Sequence, residues 1–342
     1  MSRPTTNDIA REAGVSLATI DRVLNERPGV RQKTITKVNQ AIEKLGYVRD
    51  LSAANLARQR HYKILFVLPE HDSQFLTALR EEIVEATNSG ISDRMDISVI
   101  SVPSHDPHAL VRTLNSLDSN EIDGVAIMAP ETPHLRDAIR HLKSEGIAVA
   151  ALVSDLPNTE RDHFAGVDNL AAGRTAGSLM GRFMGKHRGK VLVLVNSMQA
   201  RDSIERRLGF DQVMAEEFPQ IEILPSIEGH DDPETIHRVV ATALDSTPDI
   251  TGIYSLSSRN RALTDILLER KVIKDLVVIA HELTPHCREA LKAGLFDAVI
   301  TQNVGHVIRS ALRVLRAKSD GTTINSAQES IRIEIALKEN LP

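Results

Sequence analysis

The chain has 342 residues, 42% hydrophobic and 25% charged, a composition that allows two or three globular domains and excludes a largely disordered protein. Its one cysteine, Cys287, excludes an intrachain disulfide framework, and no secretion signal or membrane-length apolar run is apparent, since the longest run, Ile147–Val153, is strand-sized. The net charge of −5 hides an asymmetry: residues 1–62 hold 11 Lys and Arg against 6 Asp and Glu, and the rest hold 30 against 40. We therefore expect a cytoplasmic protein whose basic head alone approaches a polyanion.

Three short helices are predicted at the start of the chain. Thr5 and Asp8 have the spacing of a capping box, and Gly14 suits the left-handed residue that ends the first helix. Ser16 can cap a second helix, and Gly46 closes a third one. These signals predict a small all-α domain over residues 1–48.

From Lys63 onward, apolar β-branched runs of strand length alternate with helical segments, and the alternation restarts near Asp168. The predicted strands are Ile64–Leu68, Ile97–Val102, Val125–Met128, Ile147–Val153, Val191–Val195, Ile253–Leu256, Leu276–Ala280 and Ala298–Ile300. Such alternation is typical of parallel α/β architecture. We predict two Rossmann-like lobes over residues 62–342, with a ligand cleft between them at the carboxyl ends of the strands.

The segment from Asp8 to Asn25, DIAREAGVSLATIDRVLN, resembles the helix-turn-helix of the lac-repressor (LacI/GalR) family. Thr34, Val38 and the Leu45–Tyr47 segment continue the match. The resemblance implies a homodimeric transcription regulator, most simply a repressor associated with the nucleoid, that binds a palindromic DNA operator. It also implies that the body has the periplasmic binding protein type I fold and responds to a sugar-like effector.

The second helix would then lie in the major groove of DNA. Leu17 and Ala18 suit contact with a thymine methyl group, and Arg22 suits bidentate pairing with guanine. The predicted DNA-contacting residues are Thr6, Ser16, Leu17, Ala18, Thr19, Asp21, Arg22, Asn25, Arg31, Thr34 and Leu56. Small donors in this set, such as Ser16 and Thr19, suit phosphate oxygens.

The resemblance also assigns residues 49–61 to a hinge helix that inserts Leu56 into the minor groove. Three residues depart from the family pattern. Asp21 and Arg31 stand where the family usually has serine, and Asp50 stands where it usually has asparagine. These departures leave the operator sequence open.

In the body, the resemblance implies a ring of polar side chains around the cleft. Arg206 opens the Arg-x-x-Gly-Phe element, whose arginine points into the cleft in such proteins, and Phe75 is a candidate stacking platform. The predicted effector-binding residues are Gln74, Phe75, Asp155, Arg206, Ser257, Asn260, Glu282 and Gln302. They indicate a hydroxyl-rich ligand such as a sugar, polyol or sugar acid, and no cofactor or metal.

Other functions are weaker fits to the sequence. His281 and His286 are five residues apart, and Pro285 interrupts the helix that a zinc-protease motif needs. Gly173, Gly177 and Gly181 fall inside a predicted helix, which favours close helix packing over nucleotide binding. The remaining alternatives are a cytoplasmic sugar-binding protein and an α/β enzyme, both without a DNA function.

Overall fold

A computed structural model describes residues 4–24, 27–47, 60–70, 73–89, 94–103, 106–185 and 188–341. The chain divides into two compact units, residues 1–59 and residues 60–342. We call the first unit the head and the second the body. Within the described residues, no helix has the length and apolar character needed to cross a membrane.

The described part of the head contains three helices around one small core. They are α1 (Thr6–Ala13), α2 (Leu17–Leu24) and α3 (Gln32–Leu45). The predicted capping box forms at Thr5 and Asp8, and Gly14 ends α1 with a φ of 65°, in the left-handed region that favours glycine. Each helix contributes to the buried core, which consists of Ile9, Ile20, Val38 and Ala41.

The first lobe of the body is built on a five-stranded parallel sheet. Its strands are β1 (Tyr62–Glu70), β2 (Met95–Pro103), β3 (Gly124–Ile127), β4 (Ala148–Leu152) and β5 (His163–Ala165). They lie in the order β2-β1-β3-β4-β5. The helices that alternate with these strands are α4 (Gln74–Asn88), α5 (Pro107–Asn115) and α6 (Pro133–Ser144). The central strands β3 and β4 are buried throughout, as expected for a sheet covered on both faces.

The second lobe is built on a six-stranded sheet. Its strands are β6 (Gly189–Val195), β7 (Ile221–Glu228), β8 (Ile250–Ser255), β9 (Val277–His281), β10 (Ala298–Gln302) and β11 (Ile333–Ala336). Its helices are α7 (Asn169–Met184), α8 (Arg201–Glu217), α9 (Pro233–Ser246), α10 (Asn260–Glu269) and α11 (Pro285–Lys292). The strand order is β11-β10-β9-β8-β6-β7, and only the β10–β11 pair is antiparallel.

The chain passes between the lobes three times. It leaves the first lobe after β5 and returns after β10 with α12 (Val304–Ser319), which packs on α4 and β4 of the first lobe. A short helix, α13 (Ser326–Glu329), precedes the last crossing to β11. Both lobes therefore contain segments that are distant in sequence.

The predicted fold class, a small helical head and a two-lobed α/β body, is confirmed. All eight predicted strands are present, and β5, β7 and β11 form without having been predicted from the sequence. These three are edge strands. An edge strand needs fewer apolar residues than a central one, and β7 also contains Pro225, which weakens a strand prediction.

Candidate functional site

The surface of α2 presents most of the residues predicted to contact bases. Ser16 caps the helix, because its hydroxyl accepts a hydrogen bond from the backbone N–H of Thr19 at 3.2 Å. Leu17 is 49% exposed although it is a large apolar residue, and Ala18 and Arg22 are exposed as well. An exposed leucine at the tip of a capped helix has no packing role within the head.

The three departures from the family pattern have different structural outcomes. Asp21 is exposed and forms an ion pair with Arg27, with 3.2 Å between the carboxylate oxygen and the guanidinium nitrogen. Arg31 occupies the N-cap position of α3, where it makes no side-chain capping bond. Asp50 lies outside the described residues.

Of the other residues predicted to contact DNA, some lie in or near the first turns of the helices. Others lie outside the residues that the structure describes. Thr6 is the first residue of α1, and Thr34 lies in the first turn of α3, and both are half-buried. Thr19 is half-buried in α2, where its hydroxyl lies 2.9 Å from that of Ser16. Asn25 and Leu56 lie outside the described residues, as does most of the predicted hinge.

A second candidate site is a cavity between the two lobes, at the carboxyl ends of the strands. Its volume is about 100 Å3. The first lobe contributes Ser73, Phe75, Leu76, Met128 and Val153. The second lobe contributes Asn196, Asp202, Arg206, Leu256, Ser257, Ser258, Asn260, His281, Glu282 and Thr284. We call this space the interlobe cavity.

Close packing of α7 on α8 holds Arg206 in place. A Cβ added at Gly173 would lie 2.0 Å from the carbonyl oxygen of Arg206, and one added at Gly209 would lie 2.1 Å from that of Leu170. The two backbones therefore approach so closely that only glycine fits at these positions. Arg206, 4% exposed, donates from Nε to Oδ1 of Asn169 at 2.8 Å.

Glu282 faces Arg206 across the cavity wall. The Arg206 guanidinium lies 3.3 Å from Oε1 of Glu282, and the side-chain amide of Gln302 donates to the same oxygen at 2.9 Å. Burial raises the pKa of the Glu282 carboxyl, while the nearby Arg206 charge opposes that rise. Gln302 therefore lies behind the cavity wall, in contact with Glu282. The side-chain amide oxygen of Gln302, Oε1, is buried and accepts no hydrogen bond from any described residue.

Asn260 and Ser257 line the cavity, but their side chains form hydrogen bonds with other residues of the protein. The Asn260 side chain accepts from the hydroxyl of Ser255 at 2.7 Å and donates to the carbonyl of Ser257 at 3.0 Å. The Ser257 hydroxyl donates to Oδ1 of Asn196 at 3.1 Å. These bonds fix the loop after β8, so both residues shape the cavity wall.

His281 is buried beside Tyr254, with 2.7 Å between its Nε2 and the phenol oxygen. Burial holds the pKa of His281 well below its usual range, and the Arg206 charge lowers it further. The imidazole is therefore neutral at physiological pH and adds no charge to the cavity.

The wall from the first lobe is mostly apolar. Its one polar side chain among the described lining residues is Ser73, whose hydroxyl caps α4 by accepting from the backbone N–H of Leu76 at 3.1 Å. Val153 has a φ of 64°, which is rare for a β-branched residue and marks a locally strained turn at the end of β4.

Three predicted effector residues, Gln74, Asp155 and Gln302, do not line the interlobe cavity. Gln74 instead joins the lobes, because its side-chain oxygen accepts from the backbone N–H of His286 at 3.3 Å. Asp155 pairs with the guanidinium of Arg161 at 2.7 Å and borders a separate cavity of about 580 Å3 near the lobe connections. The structure does not bring Asp155 to Arg206.

Sequence reasoning missed several lining residues. Asp202 lies four residues before Arg206, so a shared helix face was a usable signal. Asn196 directly follows β6, at a strand end where ligand groups are expected. Met128 and Val153 carried no such signal, since apolar residues at strand ends resemble ordinary core residues.

Comparisons with known proteins match both units. Residues 5–50 match the family model described as bacterial regulatory proteins of the lacI family. Residues 64–323 match the model described as a periplasmic binding protein domain. The second match covers most of the chain.

Two curated relatives are transcription regulators by name. The chain is 37% identical to the HTH-type transcriptional regulator RegA of Clostridium saccharobutylicum over 139 residues, 40% of each protein. It is 29% identical to catabolite control protein A of Staphylococcus epidermidis over 168 residues, 48% of the chain and 47% of the relative. The chain therefore spans less than half the length of these relatives.

Solved structures support the fold of the body. An ABC transporter solute-binding protein from Burkholderia graminis, in complex with D-arabinose, has a TM-score of 0.74 and 22% identity. The alignment covers 82% of this chain and 97% of that protein. At this level of identity, the similarity establishes the two-lobed architecture alone.

Proposed function

Because the chain belongs to the lacI family of bacterial regulatory proteins and carries a periplasmic binding protein domain, we propose that it is a sequence-specific DNA-binding transcription regulator. The observation that carries this proposal is the exposed start of α2, where Leu17, Ala18 and Arg22 point away from the core of the head. A capped helix with such a tip fits the major groove. Arg22 reads guanine, and the two apolar side chains contact thymine methyl groups.

The protein acts as a homodimer on a palindromic operator. Val84 on α4 and Val99 and Ile100 on the edge strand β2 are large apolar residues that are 58%, 39% and 40% exposed. Burial of such exposed apolar residues against a second copy favours a two-fold dimer, which presents two heads to two half-sites. Sedimentation of the full chain at micromolar concentration checks this assembly, and a purely monomeric result contradicts it.

The body binds a small hydroxyl-rich effector in the interlobe cavity, with Arg206, Glu282 and Phe75 as its main contacts. At about 100 Å3 the cavity is smaller than the roughly 150 Å3 space that holds benzene. A monosaccharide therefore needs a different lobe arrangement from the one described. The contact between Gln74 and the His286 backbone is one that lobe separation breaks.

The change of lobe arrangement that the effector requires couples effector binding to DNA binding. A ligand with different affinities for two lobe arrangements shifts the population between them, and the spacing of two heads in a dimer depends on the bodies that carry them. We infer a repressor that the effector releases from its operator. Effector titration of the operator complex tests the direction of the response.

The DNA-binding proposal is tested by selecting duplexes from a random library with the full chain and measuring affinity for the recovered sequence. We expect Arg22→Ala to weaken specific binding about 5- to 150-fold, the range of one lost bidentate base contact. Arg11→Ala is the matched control, because Arg11 is an exposed head cation on α1, where its guanidinium pairs with Asp8 at 3.7 Å.

The control variant should lose little specific affinity, and its selected sequence should stay the same. Recovery of a palindromic sequence and loss of its recognition in Arg22→Ala support the proposal. Failure to enrich any sequence at low ionic strength, with the head folded, overturns it. Equal affinity of Arg22→Ala and the wild type overturns the assignment of α2 to base reading.

A further inference from the structure

We propose that the effector is an amine: a hydroxyl-rich ring whose protonated amino group binds against Asp202 and Glu282, with its apolar face toward the first lobe. The inference rests on the proposed effector site and narrows the class of its ligand. It is carried by the charges that line the interlobe cavity, by the partners those charges already have, and by the contrast between its two walls.

The charged groups of the cavity are two carboxylates and one guanidinium. Asp202 and Glu282 stand against Arg206, while His281 is neutral. Asp202 also raises the pKa of Glu282, so the two carboxylates interact electrostatically. A ligand ammonium lowers that repulsion, whereas a ligand carboxylate adds to it.

Arg206 is already occupied. Its Nε donates to Asn169 at 2.8 Å, and its guanidinium lies 3.3 Å from Glu282. An acidic ligand has to displace Glu282 from the guanidinium and leave that carboxylate buried beside Asp202. Because an unpaired buried charge is costly, this exchange is unfavourable.

Asp202, by contrast, has an unused carboxylate. It lies in the first turn of α8, is partly buried, and makes no side-chain hydrogen bond or ion pair with any described residue. Gln302, which does not line the cavity, is only 3% exposed and donates to Glu282 at 2.9 Å, so it holds Glu282 in the wall. The polar wall therefore offers an unused carboxylate in Asp202, and a ligand with a charged donor complements it.

The opposite wall sets the shape of the rest of the ligand. Phe75, Leu76, Met128 and Val153 offer no hydrogen bonds from their side chains, and the Ser73 hydroxyl is engaged in capping α4. A ligand with polar groups around its whole surface leaves some of them unsatisfied at this wall, which costs free energy. A sugar ring with its C–H face toward Phe75 meets the requirement.

The test compares ligands that differ at one position only. The 2-amino sugar, the parent hexose and the corresponding uronic acid, each in the gluco, galacto and manno series, are titrated into the full chain at pH 7 by calorimetry. For the preferred series we expect the amine to bind about 10- to 100-fold more tightly than the parent hexose, the worth of a charge-assisted hydrogen bond. The uronic acid should bind more weakly than the parent hexose.

Asp202→Asn keeps the shape of the side chain and removes its charge, so it should reduce the affinity for the amine to about that for the parent hexose. The affinity for the parent hexose itself should change less than about threefold. Glu216→Gln is the matched control, since Glu216 is an exposed acid near the other end of the same helix. This control should bind the amine as the wild type does.

Tighter binding of the uronic acid or the parent hexose overturns the inference, as does an unchanged preference for the amine in Asp202→Asn. Binding of none of the nine ligands up to millimolar concentration overturns it as well. DNA selection with the same preparation reports on the head alone. If the DNA selection succeeds while the ligand titration fails, the inference about the amine is wrong and the proposed regulator function still stands.

Discussion

The head and the body place their functional side chains in different ways. In the head, the proposed base-reading surface is a run of neighbours on one short helix, from Leu17 to Arg22. In the body, the cavity wall that holds Arg206 also needs Asn169 from α7, Glu282 after β9 and Gln302 at the end of β10. The first site depends on local structure, and the second depends on how distant segments pack.

This difference decides how each site fails. If the proposed roles hold, a substitution on the exposed face of α2 should change DNA recognition and leave the core of the head intact. A substitution at the cavity wall changes packing, charge balance and ligand binding together, because its members are buried and share partners. Variants at the two sites should therefore separate into those that affect binding alone and those that also affect stability.

The largest expected effect comes from Arg206→Ala, which leaves the buried Glu282 carboxylate without its cation. We expect the free energy of unfolding to fall by about 3–5 kcal/mol, the usual cost of breaking a buried ion pair from one side. Urea unfolding followed by circular dichroism measures it, since the chain has no tryptophan. Arg207→Ala is the control, because Arg207 pairs with the half-exposed Asp211 and should cost about 1 kcal/mol.

The same variant has a pH signature. Burial already raises the pKa of Glu282, and loss of Arg206 raises it further, so the folded state binds a proton more readily than the unfolded state. Stability then falls as the pH rises above the pKa of the unfolded carboxyl. The defect of Arg206→Ala should be smaller at pH 5 than at pH 8, and a defect independent of pH contradicts the assigned ion pair.

A smaller effect is expected from the glycines between α7 and α8. Gly173→Ala places a Cβ 2.0 Å from the Arg206 carbonyl oxygen, so the helices must separate at a cost of about 1–3 kcal/mol. Gly177→Ala is the matched control on the same helix, because its Cβ would lie 3.0 Å from the Phe210 carbonyl oxygen. Unfolding measurements should rank Gly173→Ala as the less stable variant. Effector affinity should fall with it, and the reverse order contradicts the packing argument.

The sequence predicted the three described helices of the head, because their signals are local. The capping box at Thr5, the left-handed Gly14 and the cap at Ser16 each act within four residues of where they stand. The central strands were also predicted from local signals, because a strand that is buried along its whole length has a continuous apolar sequence. Of the four edge strands, β5, β7 and β11 were missed, because a strand paired on one side needs no continuous apolar run, whereas β2 has an apolar, β-branched run at Ile97–Val102 and was predicted.

The cavity was predicted only in part. Arg206 and Glu282 were found through the family resemblance, and both line it. Asp155 also follows a first-lobe strand, but it pairs with Arg161 in another cavity. Val153 has a left-handed backbone at the end of β4, and a valine gives no sequence signal for such a turn. Strand order and turn geometry, rather than residue type, decide which strand-end residues meet.

The smallest expected effect returns to the head. Arg31→Ser introduces a capping side chain at the start of α3, where Arg31 makes no capping bond. We expect about 1 kcal/mol of added local stability, read as slower hydrogen exchange of the α3 amides in the full chain. The same change removes a cation from the predicted DNA surface, so DNA affinity should fall and its salt dependence should weaken by about one phosphate contact.

Arg31→Ala separates these two effects, because it removes the cation without supplying a cap. Both variants should lose the same salt dependence, while only Arg31→Ser should gain amide protection. If neither variant changes the salt dependence, Arg31 does not approach a phosphate, and that predicted DNA contact is wrong. If the α3 amides exchange equally slowly in the two variants, the missing cap at residue 31 does not limit the stability of α3. The start of α3 then depends less on a capping side chain than the start of α1 does at Thr5.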